Sequence, residues 1–574
     1  MTTGGGTPID AIQLGVVWQR LNSILDEAAQ TFVRTAFSTV VRENWDFGFG
    51  LMAADGRLFA QSSRSVPSFI GTMPVTLRVM RDAHGDEPWR EGDVLITNDP
   101  WHCTGHLNDI TLIRPMFHGG RCIGYVGGIS HTVDIGGATS PQARDLFEEG
   151  LCIPVSHIVR AGEENGDVIR FLAANVRSPT ETLGDLRAQI ASMNETARRI
   201  RTLLGDVGIG DLDHVSAEVL ERSERRMRGL IEAVPDGTYR SSIVADGYDE
   251  PLTIRVAVTI AGDEVAIDYE GTVEQVEKPI NSVMNFTRSY SCYTIRSILD
   301  PATPNNDGSY APITVTAPEG SLVNPLRPAP VWARHLTGHY FPPVIMSALA
   351  DVLPERVMAD SGSPLWATYL RGVRDDKSRF AKIFFMNGGH GARPDSDGPA
   401  CLSFPSNVSN TPLEEFENEL PIVVREKALI SDSGGAGANR GGLGQRITME
   451  VRSERPVLFS YRNERVHHPP RGFLGGEHGS PGRHLVNGAV VNPKAQASLG
   501  QGDTFTFELP SGGGMFPAWR RPIATVVEDV LNGDVTLASA RDSYAVVIDA
   551  SGSVDQAATE RLRTDHATGS EVQR

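Results

Sequence analysis

The feature that most restricts the fold is the Gly119-Gly120 pair inside "NDITLIRPMFHGGRCIGYVGGISHT". Two consecutive glycines accept the positive φ angles of a two-residue hairpin loop, and the apolar runs on either side are long enough to be paired strands. Such a loop fixes the register, because each step away from the turn adds one residue to each strand. Counted outward, Asn108 falls opposite His131 and Asp109 opposite Ser130, with His106 one short step beyond. Three candidate ligands, His106, Asp109 and His131, are thereby expected to meet at the end of the hairpin remote from its turn. Two neutral imidazoles and a carboxylate suit a divalent zinc, manganese or iron ion and leave positions open for water or substrate. His102, Asp99 and Asp134 lie nearby in sequence and could add ligands or orient the imidazoles. Everything depends on register, since a slip of one residue would turn His131 to the opposite face.

At 574 residues the chain exceeds what one hydrophobic core usually supports, so several domains are expected. A helix is predicted from Asp10 to Ser38, where Leu14, Val17, Leu21, Ile24, Leu25, Ala28 and Phe32 recur at helical spacing and Asp10 could cap the start. "FGFGLMAADGRLFAQSS" reads as a hairpin turning at Asp55-Gly56, "PVTLRVMRDAH" as a short helix and "DVLITND" as a buried strand. Helical spacing returns from Pro179 to Ala233, with a break near "GDVGIGD". Beyond Asp236 the period shortens to two, and "LTIRVAVTIAGDEVAIDYEGT" reads as an antiparallel pair; "PPVIMSALADVLP" is a further helix. The expected class is α+β and multidomain, with mixed and antiparallel sheets. An N-terminal metal-binding α/β region would occupy 1–235, a strand-rich domain 236–330, a glycine-rich, strand-rich α+β domain 331–555 and a flexible tail 556–574.

The balance of 53 Lys and Arg against 71 Asp and Glu, a formal charge of -18, argues against nucleic acid or an anionic membrane as partner. No apolar run reaches roughly 18 residues, and the start "MTTGGGTPID" lacks the basic and apolar blocks of a secretory signal, so a cytoplasmic location is expected. The five cysteines are widely spaced without C-x-x-C, which points to buried free thiols. Glycine-rich stretches near the C-terminus invite a phosphate-loop reading and fit it poorly. "SDSGGAGANRGGLG" has no G-K-[ST], so a structural turn is favoured, with Arg440 left as a possible anion contact. "NGGHGARPDSDG" offers His390, Arg393, Asp395 and Asp397, equally readable as a polar surface turn. H-E-x-x-H and G-x-S-x-G are both absent.

Taken together, "NDPWHCTGHLNDI", "SHTVDIGG", "EEGLCIP", "NVRSP" followed by "GDLRAQI", "DYEGT", "PINSV", "NDGSYAPITVTAPEGSLVNPLRPAPV", "NVSNTPLEEFENELP" and "DSGGAGANRGGLG" resemble the hydantoinase B family. That family includes the B-type half of 5-oxoprolinases, caprolactamases and N-methylhydantoinases, and a large subunit of acetone and acetophenone carboxylases. The resemblance implies an A-type ATPase partner that binds ATP and phosphorylates a carbonyl, while the B-type subunit completes the reaction. It also implies a divalent metal on His106, Asp109 and His131. The function expected is hydrolysis of a small cyclic amide of hydantoin, lactam or oxoproline type by metal-activated water, with Asp46, Asp99 and Asp134 as candidate general bases. A ketone carboxylase subunit and a non-catalytic scaffold are the alternatives. This chain departs from many relatives at Cys103-Thr104-Gly105-His106, where they read G-G-T-H, and at Phe69, where they have a histidine.

Overall fold

A computed structural model describes residues 11–138, 143–374, 376–549 and 551–572. They form two compact units interleaved along the chain: one takes residues up to 238, 257–341 and 406–409, the other 239–256, 342–405 and those from 410 on. Helix α1 (Ala11–Thr35) buries Leu14, Val17, Leu21, Leu25 and Phe32, the stripe its spacing predicts; the proposed cap Asp10 lies outside the described residues. Strands β1 (Phe47–Met52) and β2 (Leu58–Gln61) form the predicted hairpin. Helix α2 (Pro67–His84) starts earlier than its apolar signal, because Pro67 at the first turn sets a helical φ at no hydrogen-bond cost. Next come β3 (Val94–Thr97), β4 (Asp109–His118), β5 (Arg121–His131), β6 (Ser156–Arg160) and β7 (Glu163–Glu164). These strands make one sheet in the order β2-β1-β5-β4-β3-β6-β7.

The hairpin β4–β5 turns where the glycine pair predicts, with His118 opposite Arg121. Its register does not hold to the far end. A bulge between Met116 and Phe117 of β4 sets Phe117 against Cys122 but Met116 against Gly124, so that Asp109, and not Asn108, pairs with His131. The extra residue re-phases the alternation and brings Asp109 and His131 to one face. Gly124 is what permits it: its φ is +145°, and a Cβ there would sit 2.5 Å from the Met52 carbonyl oxygen.

Helices α3 (Pro179–Val207) and α4 (Asp213–Glu232) follow, broken where the sequence indicates. Adjacent strand residues point to opposite faces, and at Gly127 and Gly128 both faces are pressed closely. A Cβ on Gly127 would meet Met73 of α2 at 3.0 Å, and one on Gly128 would meet Gln189 of α3 at 2.9 Å. Phe32 of α1 packs edge-on against Phe47 and Phe49. The sheet thus lies between α2 on one face and α1 with α3 on the other.

The chain leaves this unit in β8 (Gly237–Ala245) and returns in β9 (Leu252–Ala261), which pairs antiparallel with β10 (Glu264–Asp268). Helix α5 (Met284–Leu299) follows, and β11 (Ile313–Thr316) then adds parallel to β10. The predicted α6 (Phe341–Leu349) precedes the strands of the second unit.

In the second unit β12 (Trp366–Val373), β13 (Arg379–Met386), β14 (Ile422–Leu429), β15 (Gln445–Val451), β16 (Val457–Arg462), β17 (Arg483–Val486), β18 (Ala489–Val490), β19 (Lys494–Leu499) and β20 (Thr504–Glu508) form two sheets, β13-β12-β16-β19 and β14-β15-β20-β17-β18. Their inner faces share one core, in which Phe459 of the first sheet stacks on Phe505 of the second with ring centres 5.2 Å apart. Helices α7 (Ile523–Asn532), α8 (Leu537–Asp542) and α9 (Gln556–Val572) end the chain.

Four glycine-rich segments here pack backbone against backbone. Gly442 donates to the His390 carbonyl, Gly512 to Gly442, Gly435 to Gly512 and Gly514 to Glu477, all within 2.8–2.9 Å. A Cβ on Gly512 would lie 1.9 Å from the His390 oxygen. "NGGHGARPDSDG" is therefore not a surface turn: His390 is buried, and Asp397 pairs with Arg521 at 2.6 Å. Arg440 is held by Asp534 at 3.0 Å. Among the cysteines, all free thiols, only Cys103 and Cys292 are buried; the other three are partly exposed.

Candidate metal centre

Three neighbouring strand ends meet at one edge of the seven-stranded sheet. Asp109 opens β4, His131 closes β5 directly opposite, and Asp46 precedes β1, its backbone carbonyl accepting from the His131 N–H at 3.0 Å. His106 comes from the loop before β4, where Asn98 Nδ2 donates to the Leu107 carbonyl at 2.7 Å. His106, Asp109 and His131 are all buried, and each offers a ligand atom within 4.8 Å of the others. This is the one such group of three or more His, Cys, Asp and Glu side chains among the described residues.

Asp109 is held so that its two oxygens do different work. Oδ2 accepts from Arg334 Nη2 at 2.6 Å and from the Thr104 hydroxyl at 2.5 Å. Oδ1 faces His106 Nε2 at 2.7 Å and His131 Nδ1 at 2.9 Å. Arg334 is itself fixed, its Nε donating to the Thr104 carbonyl at 2.5 Å and its guanidinium lying 4.3 Å over the Phe286 ring.

His106 Nδ1 lies 2.9 Å from the Trp332 carbonyl oxygen. A carbonyl only accepts, so Nδ1 carries the proton and Nε2 presents a lone pair. That lone pair sits 2.7 Å from a carboxylate oxygen without hydrogen-bond geometry, and His131 Nε2 is likewise buried without a hydrogen-bond partner. Two lone pairs so close repel unless positive charge lies between them. Burial, then the Arg334 charge, push the His106 pKa down to about 4. For His131 burial also acts downward, but its hydrogen bond to Asp109 and the field of Asp46 raise it above its ordinary value. Burial pushes Asp109 up, and His106 and Arg334 outweigh it and hold the carboxyl well below the usual range. Buried imidazole nitrogens facing an ionised carboxylate form a donor set that could hold a divalent cation.

The remaining candidates are placed differently. Asp46 Oδ2 lies 3.9 Å from His131 Nδ1, and burial, reinforced by Asp109, pushes its carboxyl up to about 6. Trp45, just before it, has a left-handed φ of 59° and stacks on Phe47. Asp99 pairs with Arg327 and accepts from the Trp101 N–H at 3.1 Å. Asp134 pairs with Arg177 Nη1 at 2.5 Å and accepts from the Gly136 N–H at 3.2 Å. His102 Nδ1 lies 3.7 Å from Asp99 Oδ2, outside the trio. Phe69 is a core residue of α2. Sequence reasoning passed over Arg334, Thr104 and Trp332. Thr104 stood inside the motif with His106, whereas "PVWARH" gave only an unassigned arginine and tryptophan.

A model of the family described as hydantoinase B/oxoprolinase matches residues 10–517. The B-type half of a putative D-/L-hydantoinase of Pseudomonas sp. is 31% identical, over 97% of this chain and 98% of that protein. The crystal structure of the ATP-dependent caprolactamase from Pseudomonas jessenii superposes with a TM-score of 0.88 at 28% identity, over 97% of this chain and all of that one. An acetone carboxylase chain in its nucleotide-free structure shares the fold, with a TM-score of 0.86 at 20% identity over 98% of this chain and 84% of that one. The motifs, the fold and this match through nearly the whole chain make it a member of the hydantoinase B/oxoprolinase family.

Proposed function

We propose that this chain is the B-type subunit of an ATP-dependent hydrolase of cyclic amides, of hydantoin, lactam or oxoproline type. It would act on a carbonyl phosphorylated by an A-type ATPase partner. The observation that carries this is the convergence of His106, Asp109 and His131 in a buried cluster, in a chain whose relatives include the B-type half of a putative hydantoinase and an ATP-dependent caprolactamase. A divalent ion held by the three would supply Lewis acidity toward a carbonyl oxygen or a water.

The chain's own groups divide the remaining work. Asp46, with its carboxyl lifted to about 6, is deprotonated near neutrality yet basic enough to take a proton from water at Oδ2, and we assign it as general base. Arg334 and Thr104, both on Asp109 Oδ2, fix the carboxylate and keep Oδ1 turned to the imidazoles. The Trp332 carbonyl keeps the proton on His106 Nδ1. Asp99 and Asp134, each bound to an arginine and a loop N–H, are assigned to positioning their loops. ATP is assigned to the partner, since the glycine-rich segments turn their N–H groups on one another.

The test is ATP consumption and ring opening by the purified chain together with its ATPase partner, fed a hydantoin, a lactam, 5-oxoproline, or a ketone with bicarbonate. Consumption should follow a cyclic amide, and Asp46→Asn should lower kcat by about 10²–10⁴-fold with metal content unchanged. Turnover driven by ketone and bicarbonate alone, or undiminished in a metal-free complex, would overturn the reading.

A further inference from the structure

Behind His106 lies a second buried carboxylate. Glu149, only 1% exposed, ends the helical turn Leu146–Glu149 inside "EEGLCIP". Its Oε1 accepts from the backbone N–H groups of both Val331 and Trp332, each at 2.7 Å. The carbonyl of that same Trp332 meets His106 Nδ1. On its other side the Trp332 indole donates to Asn108 Oδ1 at 2.7 Å, and Asn108 Nδ2 donates to the Thr132 carbonyl at 2.7 Å, one residue past His131. Glu149 is also tied to the segment after His131: Ala138 donates to the Glu148 carbonyl and Leu151 to that of Ile135.

A neutral imidazole beside a carboxylate has two options. With the proton on Nε2, His106 would donate to Asp109 Oδ1, 2.7 Å away, and would have no lone pair to offer a cation. With the proton on Nδ1 it needs an acceptor on the far side, and the Trp332 carbonyl is that acceptor. Hydrogen bonds from two N–H groups to a buried carboxylate are among the stronger kinds, and here they fix the backbone that carries the acceptor.

We propose that Glu149 is a positioning residue of the metal centre: by holding the Val331–Trp332 backbone, it locks His106 in the tautomer whose Nε2 can bind a cation. The inference rests on the reading that His106, Asp109 and His131 take a divalent ion. Both are tested by titrating Mn²⁺ and Zn²⁺ into metal-free wild type, Glu149→Ala, Glu149→Gln and His106→Ala, with ¹⁵N spectra of the histidine-labelled, metal-free chain reporting the tautomer. Glu149→Ala should weaken metal binding by about 10–100-fold and move the His106 proton toward Nε2. Glu149→Gln, whose side-chain carbonyl still accepts, should stay within several-fold of wild type, and His106→Ala should lose the site. Wild-type affinity and tautomer in Glu149→Ala would overturn the role of Glu149 alone; full metal binding in His106→Ala would overturn the metal assignment. Should Glu149→Ala fail to fold, the wild-type spectrum still decides, because a His106 protonated at Nε2 there contradicts the proposal.

Discussion

At the ends of β1, β4 and β5 side chains crowd toward a point, whereas among residues 387–392, 433–444, 470–480 and 510–516 it is the lack of side chains that lets segments meet. In the first region a charged group is stable only because each neighbour answers it: Arg334 and Thr104 on one oxygen of Asp109, two imidazoles on the other. In the second, carbonyl and N–H groups answer one another across distances that leave no room for a Cβ. The contrast teaches what kind of change each region can bear. The metal centre tolerates added bulk nearby but not a lost charge, and the glycine core tolerates a change of charge nearby but not one added methyl group.

The largest effect should come from Gly512→Ala. Its new Cβ would fall 1.9 Å from one backbone oxygen with no flexible side chain to yield, at a cost on the order of 4 kcal/mol or more, read as a collapsed urea midpoint or loss of folded protein. Close behind, Asp109→Ala strands the Arg334 charge in a site where its side chain is 6% exposed; urea denaturation should show a loss of about 3–5 kcal/mol, together with loss of metal. If Asp109→Ala proved the milder by far, the comparison would sharpen; if Gly512→Ala were neutral, it would break. A metal ion at 100 times its Kd should add about 2.7 kcal/mol to wild type and nothing to His131→Ala, measured by thermal unfolding with and without chelator. Smallest, and opposite in sign, is Gly229→Ala on the exposed side of α4, where a Cβ would meet nothing within 4 Å; it should gain about 0.5–1 kcal/mol.

Local signals reached the turn at Gly119-Gly120, the α1 stripe, the break between α3 and α4, and the neighbourhood shared by His106, Asp109 and His131. They did not reach the bulge at Gly124, because the contact that makes glycine necessary there is with Met52 on another strand. A register counted from the turn alone therefore set Asn108 against His131 and left Asp109 facing away. Arg334 was illegible for a related reason: its partners, Asp109 and Thr104, are fixed by tertiary folding across more than two hundred positions. The glycine-rich stretches could be recognised as unsuited to a phosphate loop. Their mutual burial could not, since each supplies hydrogen-bond partners to segments remote in sequence. Nor does any local pattern mark the interleaving of the two units, where the chain exits in β8 and re-enters in β9.

The most direct measurement is an anomalous difference map from crystals of the purified chain grown with Mn²⁺ or Zn²⁺. One peak at bonding distance from His106 Nε2, Asp109 Oδ1 and an imidazole nitrogen of His131, about 2.0–2.3 Å for a Zn²⁺ ion, is the result expected. A map that is flat there while His106 Nε2 is seen hydrogen-bonded to Asp109, or a peak seated on other residues, would contradict it.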